Sequence, residues 1–368
     1  MFFQALMVGI VIPHGLVYSG IVQKLRCLNW VIGAAVSRIG FTTTIPIEIL
    51  FAAGKTPVDL NNVFITHPQK KALVEEAELE GFPRNICGWV KGIYAVALRL
   101  DLDEVIAVTQ GDCSNTQALM ETLQLKGMRI FPFSYPYDRD EELLHLQIKK
   151  MMAHYGVTEA ETASLKTRLD VIRRGLALID ELTWQADSVS GFENHYFLVS
   201  ASDMNGDFEA FQEEVEGFLK EVRGRKGTDP DIRLGYVGVP PIYDDLYPFL
   251  EGLNARVVFN ETQRQFSMPY QTATLLQQYL KYTYPYDVFS RLRDIREEVE
   301  RRRIDGLIHY VQSFCFRQIE DLILRYEMDL PILTIEGDKP TPLDARTKVR
   351  IESFIELLKE KKRGNSSP

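Results

Sequence analysis

Residues 104–137, EVIAVTQGDCSNTQALMETLQLKGMRIFPFSYPY, carry the pattern on which the fold turns. EVIAVT is a short apolar run rich in β-branched residues, which favours a strand. It runs straight into Gly111, Asp112 and Cys113. SNTQALMETLQLKG then reads as a helix, and MRIFPFSYPY as the next strand and its exit. Strand, loop, helix, strand is a βαβ unit, the building block of parallel α/β sheets. In such sheets the loop after a strand lies at the carboxyl edge, where ligands bind. The spacing therefore places the Cys113 thiol at that edge.

The same pattern restarts downstream. IRLGYVGVPP (232–241) reads as a strand entering a Gly-Pro loop, followed by a helix and the strand ARVVFN. IDGLIHYVQSFCFRQIEDLILRYEMDLPILTIEGD (304–338) again reads strand, loop, helix, strand, with Cys315 in the loop. Cys113 and Cys315 thus occupy equivalent places in two α/β lobes, which points to a site between the lobes. Residues 140–185 are strongly helical in pattern, and 207–224 form a further amphipathic helix. The expected organisation is an N-terminal α/β lobe over 31–139, a mainly helical region over 140–230 and a C-terminal α/β lobe over 231–362. GFTTTIPIEILFAAGKTPVDLNNVFIT (40–66) reads as loop, helix, then strand, with the threonines able to cap the helix. Pro46 suits its first turn and Glu48 its positive end. The mixed-charge helix expected at 286–303 reads as a solvated face, and the tail KEKKRGNSSP as frayed.

Residues 1–30 read as an extension outside the fold, with Val31 as a plausible start. An added helix and a membrane anchor are the alternatives, but Pro13, His14 and several glycines break the apolar run. Over its 368 residues the chain is 45% hydrophobic with a net charge of −9, which argues for a globular protein and against a broad nucleic-acid-binding face. The expectation is a cytoplasmic chain with no nucleic acid and no membrane as partner.

Four cysteines in so long a chain do not make a disulfide framework. Cys27 falls in the extension. Cys87 lies in FPRNICGWVKG, where Arg84 and Lys91 bring positive charge that favours a thiolate. Cys87, Cys113 and Cys315 could each be a small buried hydrophobe. Together, three thiolates with a vacant fourth position suit an iron–sulfur cluster. A structural zinc site wants four ligands, often in paired spacing, and no such pair exists. His309, inside an apolar strand, reads as a core histidine. There is no phosphate-binding loop, dinucleotide fingerprint or nucleophile elbow, so an ATP-driven step would belong to a partner.

Four segments together resemble the 2-hydroxyglutaryl-CoA dehydratase D-component family, which includes subunits of 2-hydroxyacyl-CoA dehydratase and benzoyl-CoA reductase. They are IPIEILFAAGKTPVDL (45–60), GFPRNICGWVKG (81–92), GDCSNTQALMETL (111–123) and FCFRQIEDLILRYEMDLPILTIEGD (314–338), in the family's order. The resemblance implies an α/β fold of two flavodoxin- or Rossmann-like lobes with parallel sheets plus a helical connecting region. It also implies a [4Fe–4S] cluster on three cysteines between the lobes, with Cys113 and Cys315 matching the second and third ligands. The first ligand position, three or four residues before the proline, is here Thr43 or Thr42. Cys87 is the candidate to replace it; two subunits sharing a cluster and a cluster-free subunit are the alternatives. The implied activity is radical dehydration or reduction of an acyl-CoA thioester. It uses one low-potential electron from an ATPase activator with its own Fe–S cluster and works with a related subunit or as a homodimer. Reduction of a small non-CoA substrate and a non-catalytic scaffold are the other readings. Weaker candidates are Glu48, for the site or, the preferred reading, for its helix; Ser114 and Asn115, as donors to a sulfide or, the preferred reading, as helix caps; Arg317 and Gln318, as contacts to a CoA phosphate or solvent; and Glu336 and Asp338, at a strand end, as site residues or turn-formers.

Overall fold

The computed structural model describes residues 37–365; the extension at 1–30 and its Cys27 lie outside the described residues. The first lobe runs β1 (Arg38–Phe41), α1 (Ile47–Ala52), β2 (Thr56–Asp59), α2 (Leu60–Thr66), α3 (Lys70–Leu79), α4 (Gly88–Arg99), β3 (Glu104–Gln110), α5 (Thr116–Leu125) and β4 (Ile130–Ser134). Helices α6 (Glu141–Tyr155), α7 (Glu159–Trp184), α8 (Gly191–Ser200) and α9 (Phe208–Val222) follow. The second lobe runs β5 (Ile232–Gly238), α10 (Leu246–Gly252), β6 (Ala255–Asn260), α11 (Glu261–Phe266), α12 (Leu275–Lys281), α13 (Val288–Arg301), β7 (Gly306–Gln312), α14 (Arg317–Glu327) and β8 (Ile332–Gly337). Helix α15 (Ala345–Asn365) closes the described chain.

Each lobe carries a four-stranded sheet, ordered β2-β1-β3-β4 and β6-β5-β7-β8, and every neighbouring pair is parallel. The fold is therefore α/β with two parallel-sheet lobes, as the repeated strand–loop–helix–strand pattern leads one to expect. Strands β6 and β7 are buried along their whole length, which is why they read as unbroken apolar runs rather than alternating ones. In both sheets the order reverses between the first and third strands. Those are the switch points at which a crevice opens beyond the carboxyl ends. One apolar cluster spans both lobes, joining Val105 and Leu119 of the first to Tyr236, Ile308 and Ile335 of the second.

Local departures from the expected elements have physical reasons. NNVFIT is not the end of a strand but most of α2, because Asp59 caps that helix by accepting the Asn61 N–H at 2.9 Å. The threonine run does not cap α1: Pro46 holds the cap position, and Thr42 Oγ1 instead accepts the Val108 N–H at 3.1 Å. Helix α15 continues through Lys359–Asn365 where fraying was expected. The charged stretch at 286–303 is a solvated face on one side only: Arg293, Arg296, Glu297 and Glu300 are exposed, but its other side is not. Arg291, Asp294 and Glu298 on α13, and Arg302 just after it, are all buried and paired.

Glu48 serves neither the helix dipole alone nor the site. It is fully buried and accepts from Arg173 Nη2 at 2.7 Å, Gln278 Nε2 at 2.7 Å and the Tyr279 hydroxyl at 3.3 Å. It thereby ties α1 to α7 and α12. Glu48→Ala leaves Arg173 buried with Asp170 as its remaining charged partner, at an expected cost of about 3 kcal/mol. Urea denaturation measures this. Leu79→Ala, at a residue that is 90% exposed, is the control and should stay within about 0.5 kcal/mol of wild type. A Glu48→Ala variant as stable as that control would show that the pair does not anchor α1.

Candidate functional site

A cavity of about 110 Å³ opens where the carboxyl ends of the two sheets meet. The loop after β1 contributes Thr42 and Thr43, and that after β3 Asp112 and Cys113. The loop after β5 contributes Val239, Pro240 and Pro241, the last residue of β7 Gln312, and the loop after it Cys315. Cys87 and Trp89 reach the cavity from the start of α4, and His195 from α8. Cys87, Cys113 and Cys315 are all free thiols and all line this one space.

Each of the three precedes a helix. Cys87 is the cap residue of α4, Cys113 lies two residues before the cap of α5, and Cys315 one before the cap of α14. Backbone N–H groups at helix starts favour negative charge. The Asn115 N–H donates to Cys113 Sγ at 3.4 Å. Asn115 is the cap residue of α5, but its side chain makes no cap hydrogen bond; its backbone serves the sulfur instead.

Burial nevertheless dominates the thiols. It pushes Cys87 up to about 12, against the pull of the Trp89 and Val90 N–H groups. It does the same to Cys113, with the neighbouring Asp112 charge adding to the rise. Burial also raises Cys315, against the pull of Arg317. The thiols raise one another as well: Cys87 feels Cys315, and Cys113 feels both. The expected activation of Cys87 by Arg84 and Lys91 is not what the structure shows. Lys91 is fully buried and spends its charge on Glu78 at 2.7 Å, and burial outweighs it. Among the described residues, no three His, Cys, Asp or Glu side chains are placed to hold a metal ion.

Arg317 is buried beside Cys315 rather than in solvent. It stacks over the Tyr284 ring at 4.5 Å, donates to the Tyr284 carbonyl at 3.1 Å and pairs with Glu320 at 3.1 Å. Glu320 also binds Arg291, which binds Glu261, which accepts the Gly238 N–H at 3.0 Å. This buried chain connects the Cys315 loop to the end of β5. Gln318 turns back to the Gln312 carbonyl at 3.1 Å. Glu336 accepts from Ser313 at 2.6 Å, and neither it nor Asp338 lines the cavity. His309 is a core residue, buried with Nδ1 at 2.7 Å from Asp321.

Gly88, next to Cys87, is a point of close approach between the lobes at the site. A Cβ there would stand 2.4 Å from the Asp338 carbonyl oxygen, which lies past the end of β8. Only glycine lets the start of α4 sit this near the second lobe.

Among the polar lining residues to which the sequence assigns no role are Asp112, Asp59 and His195. Burial pushes the Asp112 carboxyl up to about 7, and its place beside Cys113 was a usable signal. Asp59, at the end of β2, adjoins Asp203, whose carboxylate accepts the Asp59 N–H at 2.9 Å; burial raises both. His195 lies in GFENHYFLVS, which follows no strand and carries no motif.

The family model for the 2-hydroxyglutaryl-CoA dehydratase D-component matches residues 42–358. The chain belongs to that family, and is a component of the dehydratase type. No curated protein matches it. No helix among the described residues is long and apolar enough to cross a membrane.

With both pushed up to about 12, Cys87 and Cys113 are less than about 0.1% thiolate at pH 8. Iodoacetamide trapping of folded, metal-free protein, resolved by peptide mass spectrometry, should label both slowly up to about pH 10 and quickly in urea. Rapid labelling of Cys87 in the folded protein at pH 8 would contradict the burial argument.

Proposed function

We propose that Cys87, Cys113 and Cys315 together hold a [4Fe–4S] cluster, and that the chain is the cluster-bearing component of a 2-hydroxyacyl-CoA dehydratase-type enzyme. The observation that carries this reading is the convergence of three cysteines, from segments far apart in the chain, on one cavity between two sheet edges. Their environment fits the group. Three sulfurs that resist ionisation through burial and mutual repulsion become stable thiolates only against compensating cations, and iron matches them in softness. That no three His, Cys, Asp or Glu side chains among the described residues are placed to hold a single ion is compatible with a cubane, whose irons occupy separate corners. N–H groups aimed at ligand sulfurs are a usual means of tuning such clusters.

Cys87 takes the place that the family pattern gives to Thr42 or Thr43. Both threonines line the same cavity, but Thr42 Oγ1 is already engaged by the Val108 N–H, and a hydroxyl is a poor companion to thiolates on iron. When bound, the cluster supplies one low-potential electron, received from an ATP-hydrolysing activator with its own Fe–S cluster, to an acyl-CoA thioester. The chain's own residues shape the space around it. Arg317 places a fixed positive charge beside Cys315 and Asp112, and Trp89, Val90, Ile93 and Phe266 give the cavity apolar walls. A related subunit or a second copy completes the enzyme, which works in the cytoplasm.

Iron and acid-labile sulfide after anaerobic purification test the reading. About four of each per chain are expected, with most of both lost in Cys87→Ser, Cys113→Ser and Cys315→Ser. Unchanged iron in Cys87→Ser would remove Cys87 from the ligand set. Half the content would mean a cluster shared by two subunits. None, even after reconstitution, would overturn the enzyme reading.

A further inference from the structure

We infer that a directed chain of side-chain hydrogen bonds fixes His195 as the neutral tautomer protonated on Nε2, and that this N–H is a donor to a carbonyl oxygen of the cavity's ligand. The direction of every link follows from the buried carboxylate at its far end. Asp180 accepts from Arg302 Nη1 at 2.9 Å and Nη2 at 2.6 Å. Burial alone would raise its pKa, but the charges of Arg302 and Arg264 bring it below the ordinary value. An ionised carboxylate only accepts.

The Asn194 group at 3.0 Å from Asp180 Oδ1 must therefore be its NH₂. The same NH₂ reaches Thr183 Oγ1 at 3.1 Å, whose own proton is committed to the Ile179 carbonyl at 2.9 Å. Asn194 Oδ1 is thus an acceptor, and it takes the Asn260 NH₂ at 2.7 Å. Asn260 Oδ1 is then an acceptor in turn, and takes the Tyr247 hydroxyl proton at 2.7 Å. With that proton spent, the Tyr247 oxygen can only accept from Gln263, at 3.3 Å. Gln263 therefore presents its NH₂ here, its Oε1 staying buried without a hydrogen-bond partner among the described residues, and the second hydrogen of that group is directed to His195 Nδ1 at 2.9 Å. Nδ1 is an acceptor, so in a neutral ring the proton sits on Nε2. Burial keeps the ring neutral, pushing it down to about 4.

Nε2 makes no hydrogen bond to a described residue, while the ring lines the cavity. The ring is held in place by Tyr247 at 5.0 Å and Phe192 at 6.3 Å between centroids. Its helix is fixed by a capping box between Ser190 and Glu193. A donor whose proton and orientation are set before the ligand arrives is what a carbonyl oxygen gaining negative charge requires. The same tautomer withholds the Nε2 lone pair, so in this state His195 is neither a metal ligand through that atom nor a base.

The identity of the carbonyl compound as a thioester rests on the function proposed above; the tautomer does not. Two measurements separate them. In full-length protein labelled with ¹⁵N-histidine, the ring signals that vanish in His195→Gln should show a protonated Nε2 and an unprotonated Nδ1. They should not titrate between about pH 5.5 and 8. Tyr247→Phe removes the oxygen that orients Gln263 and should give a mixture of tautomers. A wild-type ring protonated on Nδ1 would overturn the inference. For the ligand, butyryl-CoA is compared with S-butyl-CoA, a thioether without the carbonyl. Wild type should hold the thioester about tenfold more tightly. His195→Ala should abolish the difference and His195→Gln, with its amide N–H, restore part of it. Discrimination surviving in His195→Ala would overturn the donor role. Failure of wild type to bind either compound would refute the thioester reading and the thioester as the carbonyl ligand, while the ¹⁵N spectrum still decides the relay.

Discussion

Asp180 and Arg302 meet through two hydrogen bonds in a place nearly closed to solvent, and much of the molecule's geometry descends from that pair. Asp180 sits on α7. Arg302 follows α13 and also donates to the Val258 carbonyl of β6 at 2.7 Å. The helical region is thus bolted to the second sheet through charges, not only through apolar contact. A buried ion pair contributes little net stability unless its remaining valences are filled. Here Arg302 also binds Glu298, and Asp180 also takes Asn194. What the arrangement supplies is position: α8 hangs from the carboxylate through Asn194, and His195 is the next residue.

The site is governed by the opposite electrostatics. Two parallel sheets bring their carboxyl edges together, and the loops there carry three thiols into one cavity. Burial makes each of them reluctant to ionise. Arg317, a buried cation beside Cys315, pairs with Glu320 and lowers that thiol without outweighing burial. The close approach that Gly88 permits brings Cys87 to the space shared by both lobes, rather than leaving it within the first.

The frame was legible in the sequence because parallel strands buried on both faces leave unmistakable apolar runs. EVIAVT and GLIHYV announced β3 and β7, and the loops after them announced the positions of Cys113 and Cys315. The place of Cys87 was less legible, because it enters through a helix start rather than a strand end. Charge was the least legible property. The alternation of Arg, Asp and Glu over 286–303 does not tell the residues that face water from Arg291, Asp294 and Arg302, which face Glu261, Arg264 and Asp180. Partners so distant in sequence leave no local trace. Glu48 and Arg173 are a second instance, and His195 a third, since its meaning depends on a chain of bonds through α7, α10 and α11.

The two lobes repeat one order of elements, β1–α1–β2–α2–α3–α4–β3–α5–β4 matching β5–α10–β6–α11–α12–α13–β7–α14–β8. The repetition is faithful in the frame and broken at the loops. Where α4 starts from Cys87, α13 starts from Asp287, whose carboxylate caps its helix by accepting the Ser290 N–H at 3.0 Å. Where β2 ends in Asp59, β6 ends in Asn260, a link in the hydrogen-bond chain to His195. The first lobe therefore supplies two thiols and the second supplies one thiol, together with Asn260, Tyr247 and Gln263 of the chain that reaches the imidazole. Such divergence is tolerable because strand ends and helix caps contribute little to the core, while the apolar strands and buried ion pairs hold the loops in register. A symmetric scaffold has in this way come to carry an asymmetric cavity, sulfur-rich on the first lobe's side and oriented by hydrogen bonds from the second.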